Sequence, residues 1–311
     1  MKICSLLPSA TEIACALGLE EELVAVTHEC DYPAAAAGKP RITRSAMDHG
    51  DSTSTEIHRH ISGALHRGSS IYHLDQELLE RLAPDLILTQ ELCDVCAVSY
   101  RQVQRAVRIA ESDATIVSLE PRTLEEILET IVHVGVLTGH RDQAETVVAG
   151  LRGRIDRVTA AVGRTGDRPR VLCVEWLDPV MVGGHWVPDM VEMAGGADGL
   201  GKAGEPSFTV TWRQVADYQP EVLVLMPCGF HLQETVTEVE RTALPAEWAG
   251  LPAVRQGRVF AVDGSSYFNR PGPRIVDGLE LLAQIIHPSL APDLHGPAEF
   301  RRLEALEPGK G

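Results

Sequence analysis

Four cysteines stand where apolar runs give way to polar loops. Cys93 and Cys96 form a C-x-x-C in Thr89-Gln90-Glu91-Leu92-Cys93-Asp94-Val95-Cys96, directly after the apolar run Asp85 to Thr89. Cys30 follows Leu23 to His28, and Cys228 follows Val222 to Met226. Thiols and imidazoles in such loops suit zinc, copper(I), iron or cobalt, so His28, Cys30, Cys93, Cys96 and Cys228 are the candidate metal-binding set. A C-x-x-C without a second C-x-x-C has a structural reading of equal standing. A thioredoxin-like redox role is the weaker one, because the surrounding length and topology differ. His28 and Cys30 alternate along a strand end, so one of them can point into the core instead. Cys4, Cys15 and Cys173 lie inside predicted elements and read as small buried hydrophobes.

Carboxylate and aromatic side chains occupy the same kind of loop. Glu91, Glu175, Trp176, Trp186, Phe230, Tyr267, Phe268 and Arg270 are candidates to orient and stack a bulky ligand. Trp176 and Trp186 have a core reading, but both fall in strand-to-helix connections, where aromatic residues line pockets. Arg270 either binds an anionic group or ties down its own loop. A cysteine paired with His28 or His185, with Glu91 or Glu175 as general base, would make a thiol-dependent enzyme. No G-x-S-x-G, G-x-x-x-x-G-K-[ST] or H-E-x-x-H occurs. Catalysis has no specific motif behind it.

The elements that must position these residues alternate between strand and helix. Lys2 to Leu7 reads as a strand, and Ser9-Ala10-Thr11-Glu12 as a capping box that opens a helix ended by Gly18. Strands are predicted at Leu23 to His28, Ser70 to Leu74, Asp85 to Thr89 and Thr115 to Leu119, with helices from about Ser54 to His66 and at Gln76 to Leu82. A further helix follows the C-x-x-C, on the rhythm of Val98, Val103, Val107 and Ile109. Helical patterns run from Thr123 to Thr138 and from Arg141 to about Val162. A second series then begins, with strands at Arg170 to Glu175, Glu221 to Met226 and Arg258 to Val262 and a last helix from Arg274 to Ile286. Helix-separated strands imply buried parallel sheets. The fold class is therefore α/β, with two Rossmann-like lobes joined by one long helix: 1–138, a connecting helix at 139–163, and 164–311. If the lobes face each other, the strand-end loops line one cleft between them.

The totals narrow the partners. Lys+Arg 28 against Asp+Glu 44 leaves a net charge of -16, which repels nucleic acid and anionic membranes. No stretch approaches the roughly 18 apolar residues of a membrane span. The short apolar run after Met1 lacks the form of a secretory signal, and seven cysteines argue against a disulfide framework. A cytosolic setting is expected on these grounds, with an extracytoplasmic one as the alternative if a signal was removed.

Ile3-Cys4-Ser5-Leu6-Leu7-Pro8-Ser9-Ala10-Thr11-Glu12, Leu17-Gly18 and Leu23-Val24-Ala25-Val26-Thr27 resemble the opening of the cobalamin and iron-siderophore binding-protein family. Pro84-Asp85-Leu86-Ile87-Leu88, Thr123-Leu124-Glu125, Pro220-Glu221-Val222-Leu223-Val224 and Gly257-Arg258-Val259-Phe260-Ala261-Val262 extend the likeness over nearly the whole chain. The resemblance implies two lobes bridged by a helix, a corrinoid such as cobalamin or another metal chelate in the cleft, and an ABC transporter permease as partner. It also implies that the turn at Pro8 and Ser9 and the aromatic residues Trp176, Phe230 and Tyr267 line that cleft. The clustered thiols depart from an ordinary cobalamin carrier, leaving direct binding of zinc as an alternative.

Overall fold

The computed structural model describes residues 1–45, 72–90, 107, 113–164, 166–289 and 299–303. They form two compact units, of which the first comprises 1–45, 72–90, 107, 113–121 and 126–148, and the second 122–125, 149–164, 166–289 and 299–303. The helix Arg141–Val162 contributes to both, its first eight residues to the first unit and the rest to the second. It runs its 22 residues without proline, as the pattern predicts.

In the first unit, β1 (Ile3–Ser5), β2 (Leu23–Ala25), β5 (Leu86–Thr89) and β6 (Thr115–Ser118) make an all-parallel sheet in the order β2-β1-β5-β6. All residues of β1 and β5 are buried, as covered parallel strands require. The run at Ser70 to Leu74 differs from its expectation. Its described part is β4 (Tyr72–Leu74), which pairs antiparallel with β3 (Thr43–Ser45) in a separate two-stranded sheet. In both strands a buried residue is followed by an exposed one and then a partly exposed one, the mark of a half-covered antiparallel pair rather than a buried parallel strand. The predicted helix at Ser54 to His66 lies outside the described residues, as does all of the helix after the C-x-x-C except Val107, which is helical and buried.

The first helix also starts differently. It runs Pro8–Ala16 with Leu7 as an extended N-cap that makes no side-chain cap bond. Proline at the first helical position brings its own helical φ and lacks the N–H that would need a partner there. Ser9 therefore lies inside the first turn and Glu12 is buried, so no capping box forms. Elsewhere side-chain caps do form: Asp75 accepts from the Leu78 N–H to open Gln76–Leu82, and Thr211 and Gln214 form a capping box for Trp212–Tyr218.

The second unit holds a six-stranded mixed sheet, β12-β11-β10-β7-β8-β9. β7 (Val171–Leu177), β10 (Val222–Leu225) and β11 (Val259–Val262) are its parallel centre. β8 (Val180–Val182), β9 (Phe208–Thr209) and β12 (Phe300–Arg302) add antiparallel edges. Leu172, Val174, Leu223, Leu225, Val259 and Ala261 form the core, with Trp248 fully buried against them. Register pairs Val174 with Leu225 and Leu225 with Ala261. Glu175, inside β7, is thus level with Met226 after β10 and Val262 at the end of β11, and the loops after Met226 and Val262 carry candidate residues.

Candidate functional site

In the first unit the strand ends are bound into a hydrogen-bonded knot. Ser5 Oγ donates to the Leu7 carbonyl at 2.9 Å, and Thr11 Oγ1 donates to Ser5 Oγ at 2.8 Å. Cys30 Sγ lies 3.1 Å from both Thr11 Oγ1 and Thr27 Oγ1 and is fully buried. Pro8 and Ser9 are buried beside this knot. The loop is drawn in further by Arg41, whose guanidinium donates to the carbonyls of Thr27 at 2.6 Å and Cys30 at 2.7 Å. Cys30 is thus a positioned, hydrogen-bonded thiol of the interior. His28 is half-buried, with Nδ1 2.8 Å from Thr43 Oγ1 and its ring 5.5 Å from Tyr72. The Tyr72 hydroxyl donates to Glu29 at 3.1 Å. Glu91, Cys93 and Cys96 lie outside the described residues. Among the described residues no group of three or more His, Cys, Asp or Glu side chains is placed to hold a metal ion.

The other thiols divide by depth. Burial, with Cys30 adding to it, pushes the Cys4 thiol up to about 12. Burial likewise raises Cys15 to about 11 and Cys173 well above its usual range. Cys4 and Cys173 are buried packing residues, as their strand positions predict, whereas Cys15 is only partly buried. Cys228 is a partly exposed free thiol in the loop after β10.

The second unit carries most of the aromatic candidates. Trp176 and Phe230 meet edge-to-face, their ring centres 5.6 Å apart at 84°. Phe230 is partly exposed and Trp176 is 9 % exposed. Tyr267 is half-buried with the Arg274 guanidinium 5.8 Å from its ring centre. Trp186 and Phe268 are placed in the interior instead: the indole N–H of Trp186 donates to the Phe268 carbonyl at 2.8 Å, and Phe268 has no exposed surface. Arg270 is buried as well.

Glu175 braces the turn between β8 and the helix Val187–Met193. It accepts from the Ser207 hydroxyl and the Gly184 N–H, and the same Gly184 N–H lies 3.1 Å from Ser207 Oγ. Burial raises its carboxyl from 4.5 to about 7, and the two hydrogen bonds only partly oppose that rise. A side chain at Gly184 would put its Cβ 2.4 Å from the Ser207 nitrogen, so only glycine fits the turn. Next to it His185 holds a left-handed backbone with φ 50°, its N–H donating to the Glu205 carbonyl at 2.6 Å. Its Nε2 is buried and has no hydrogen-bond partner among the described residues. Burial and then the Arg122 charge lower its pKa, favouring the neutral ring.

Tyr32, in the loop after β2, is 48 % exposed. His185 stands among the sequence candidates as a partner for a cysteine, but its burial is not visible in residue type, nor is the pairing of His231 with Asp263, 2.9 Å apart, because these environments come from segments distant in the chain.

Each α/β unit carries aromatic and polar groups at its strand ends. The family model for periplasmic binding proteins matches residues 3–265, and the chain belongs to that family. Its members are substrate-binding proteins of ABC transporters rather than enzymes. The vitamin B12-binding protein of Vibrio parahaemolyticus is 24 % identical over 281 residues, 89 % of this chain and 86 % of that protein. An uncharacterized ABC transporter substrate-binding lipoprotein of Bacillus subtilis is 23 % identical over 291 residues, covering 92 % and 80 %. Among solved structures, a possible iron-binding periplasmic solute-binding protein from Staphylococcus epidermidis superposes with a TM-score of 0.70 at 23 % identity, covering 92 % of this chain and 98 % of that one. A periplasmic heme-binding protein from Roseiflexus sp. RS-1 gives 0.67 at 22 %, covering 93 % and 98 %. At these identities the structures establish the shared fold. The family is periplasmic by description, which does not support the cytosolic setting expected from the sequence. No described helix is long and apolar enough to cross a membrane.

Proposed function

We propose that this chain binds a corrinoid, or a closely related metal chelate, and presents it to an ABC transporter permease. The observation that carries the reading is the match to vitamin B12-binding proteins over about nine-tenths of the chain, 89 % of it in the Vibrio parahaemolyticus relative. The strand-end chemistry supports it. A macrocycle offers a broad apolar face with a polar rim, and Trp176, Phe230, Tyr267 and Tyr32 supply aromatic faces of the kind that stack on such a surface. Trp186 and Phe268 support the reading as interior residues whose hydrogen bond ties their two loops together, and Pro8, Ser9 and Arg270 are buried within their own units.

Calorimetric and absorption titrations with cyanocobalamin, haem and a ferric hydroxamate test the proposal. A saturable signal with cyanocobalamin is expected, weakened about tenfold or more by Trp176→Ala or Phe230→Ala, the loss of about 1.4 kcal/mol of contact. A signal with haem or hydroxamate alone would replace the corrinoid by another chelate. Neither heat nor spectral change with any of the three would sink the reading.

A further inference from the structure

Glu175 interrupts the regular pairing of β7. Val174 stands opposite Val182 and Trp176 opposite Met181, so Glu175 is the extra residue of a β-bulge. A bulge re-aims the side chain it carries. Here the carboxyl meets the turn after β8, where the Gly184 N–H and the Ser207 hydroxyl donate to it. The backbone around it is closely packed: a Cβ at Gly183 would lie 2.8 Å from Val187, and one at Gly184 2.4 Å from the Ser207 nitrogen. Part of Glu175 is still open to solvent, although its carboxyl is hemmed in by protein. The next residue, Trp176, sets its ring against Phe230 in the loop after β10.

Among the described residues no charged group acts on this carboxyl. On the same strand Cys173 is raised by burial, then by Asp198 and Glu175, and stays a thiol. Asp198, in the loop after the helix Val187–Met193, is itself raised by burial and accepts from the Leu200 and Gly201 N–H groups. In the turn, burial and the Arg122 charge keep His185 neutral, and burial raises Asp189 on the helix that follows. Glu205 lies on the segment that carries Ser207, and Cys228 in the loop after β10. A purely structural role explains less. Glutamine would accept the same two hydrogen bonds and bring no charge into a dry place, so what the carboxyl alone adds is a proton that it takes up and releases.

We infer that a ligand stacked on Trp176 and Phe230 seals the Glu175 carboxyl from water, so that the chain takes up a proton at this residue as it binds. Glu175 then sets the pH range in which an uncharged, apolar ligand face is held. The inference rests on the binding function proposed above. The proton comes from solvent, one O–H bond forms on the carboxylate, and no other bond changes. The free carboxyl titrates at about 7, and removing its remaining water raises it further. Below that pH it is protonated with or without ligand, and affinity is level. Above it, binding draws a proton from solvent, so affinity falls by up to about tenfold per pH unit until the bound form also ionises.

Cyanocobalamin, whose own charge is constant between pH 6 and pH 9, is the probe. Its affinity for the full chain should be level near pH 6 and about tenfold or more weaker at pH 9, the result of a further rise of about one unit on sealing. Calorimetry in two buffers of different ionisation enthalpy should show proton uptake at pH 8 and almost none at pH 6. Glu175→Gln should flatten the profile and abolish the uptake, with a melting curve to show that the variant is folded. Ser207→Ala removes a bond that favours the charged carboxylate, and should move the fall in affinity to higher pH. The proton count on the parent and the Ser207 variant decide the matter independently of the glutamine variant. Saturable binding without proton uptake, affinity that rises with pH, or a fall that persists in folded Glu175→Gln would overturn the assignment and leave the binding function standing. No binding of cyanocobalamin even at pH 6 overturns the corrinoid reading and this inference together.

Discussion

Glu175 shows how one residue's environment decides its role. Its carboxyl sits at about 7 instead of 4.5 because burial outweighs the bonds from Ser207 and Gly184. Between those two pH values the folded chain holds a proton that the unfolded chain has released, so this group's contribution falls as pH rises and is fully lost above about 7. Glu175→Gln keeps an acceptor for the Gly184 N–H and removes the charge. The variant should be more stable than the parent by about 1–3 kcal/mol at pH 8 and no more stable at pH 4.5. Urea unfolding at the two pH values measures it, and a variant destabilised at pH 8 would assign the carboxylate a partner that it needs in its charged form. The sequence placed Glu175 at a strand end but not its depth, because the segment that bonds this turn, through Glu205 and Ser207, is distant in the chain.

Among the elements, the long helix and the last one are joined by charge. Arg154 donates through Nε to Glu280 at 3.0 Å and through its terminal nitrogen to Glu280 at 2.8 Å and Asp277. Glu280 is 2 % exposed, so a carboxylate left without the guanidinium would stay in a dry place. Arg154→Met should therefore cost about 3–5 kcal/mol, whereas Glu280→Gln with Arg154→Met in one chain should recover part of that loss. Equal losses in single and double variants would remove the pair from the stability of the second unit. Both helices were legible, since their apolar spacing is a local signal. Their pairing was not, because Arg154 and Glu280 are 126 residues apart. The same limit explains the missed edge strands: β8, β9 and β12 are two or three residues long, too short to show alternation. Trp186 and Phe268 read as pocket-lining because sequence gives connection type, while their burial arises from the bond between the two loops. Trp176 and Phe230 were legible as strand-end aromatics, though their contact follows from the parallel register of β7 and β10.

For the whole molecule the dominant long-range quantity is its net charge of -16. Near neutral pH this excess of carboxylates repels itself and opposes compaction. Exposed pairs such as Arg141 with Glu145 and Arg213 with Asp217 act in the opposite sense, but solvent-exposed pairs of this kind contribute little. Repulsion summed over the molecule should outweigh them. Salt shortens the reach of both, from about 30 Å at 0.01 M to about 3 Å at 1 M, and so should remove more repulsion than attraction. The midpoint of thermal unfolding at pH 8 should rise by several degrees as potassium chloride increases over that range. Near the isoelectric point of about 5.2 the net charge vanishes, only the local pairs remain, and the same salt should leave the midpoint level or lower it slightly. Scanning calorimetry at the two pH values checks both slopes. A midpoint that falls with salt at pH 8 would mean that local ion pairing, and not the carboxylate excess, governs the electrostatic stability of the fold.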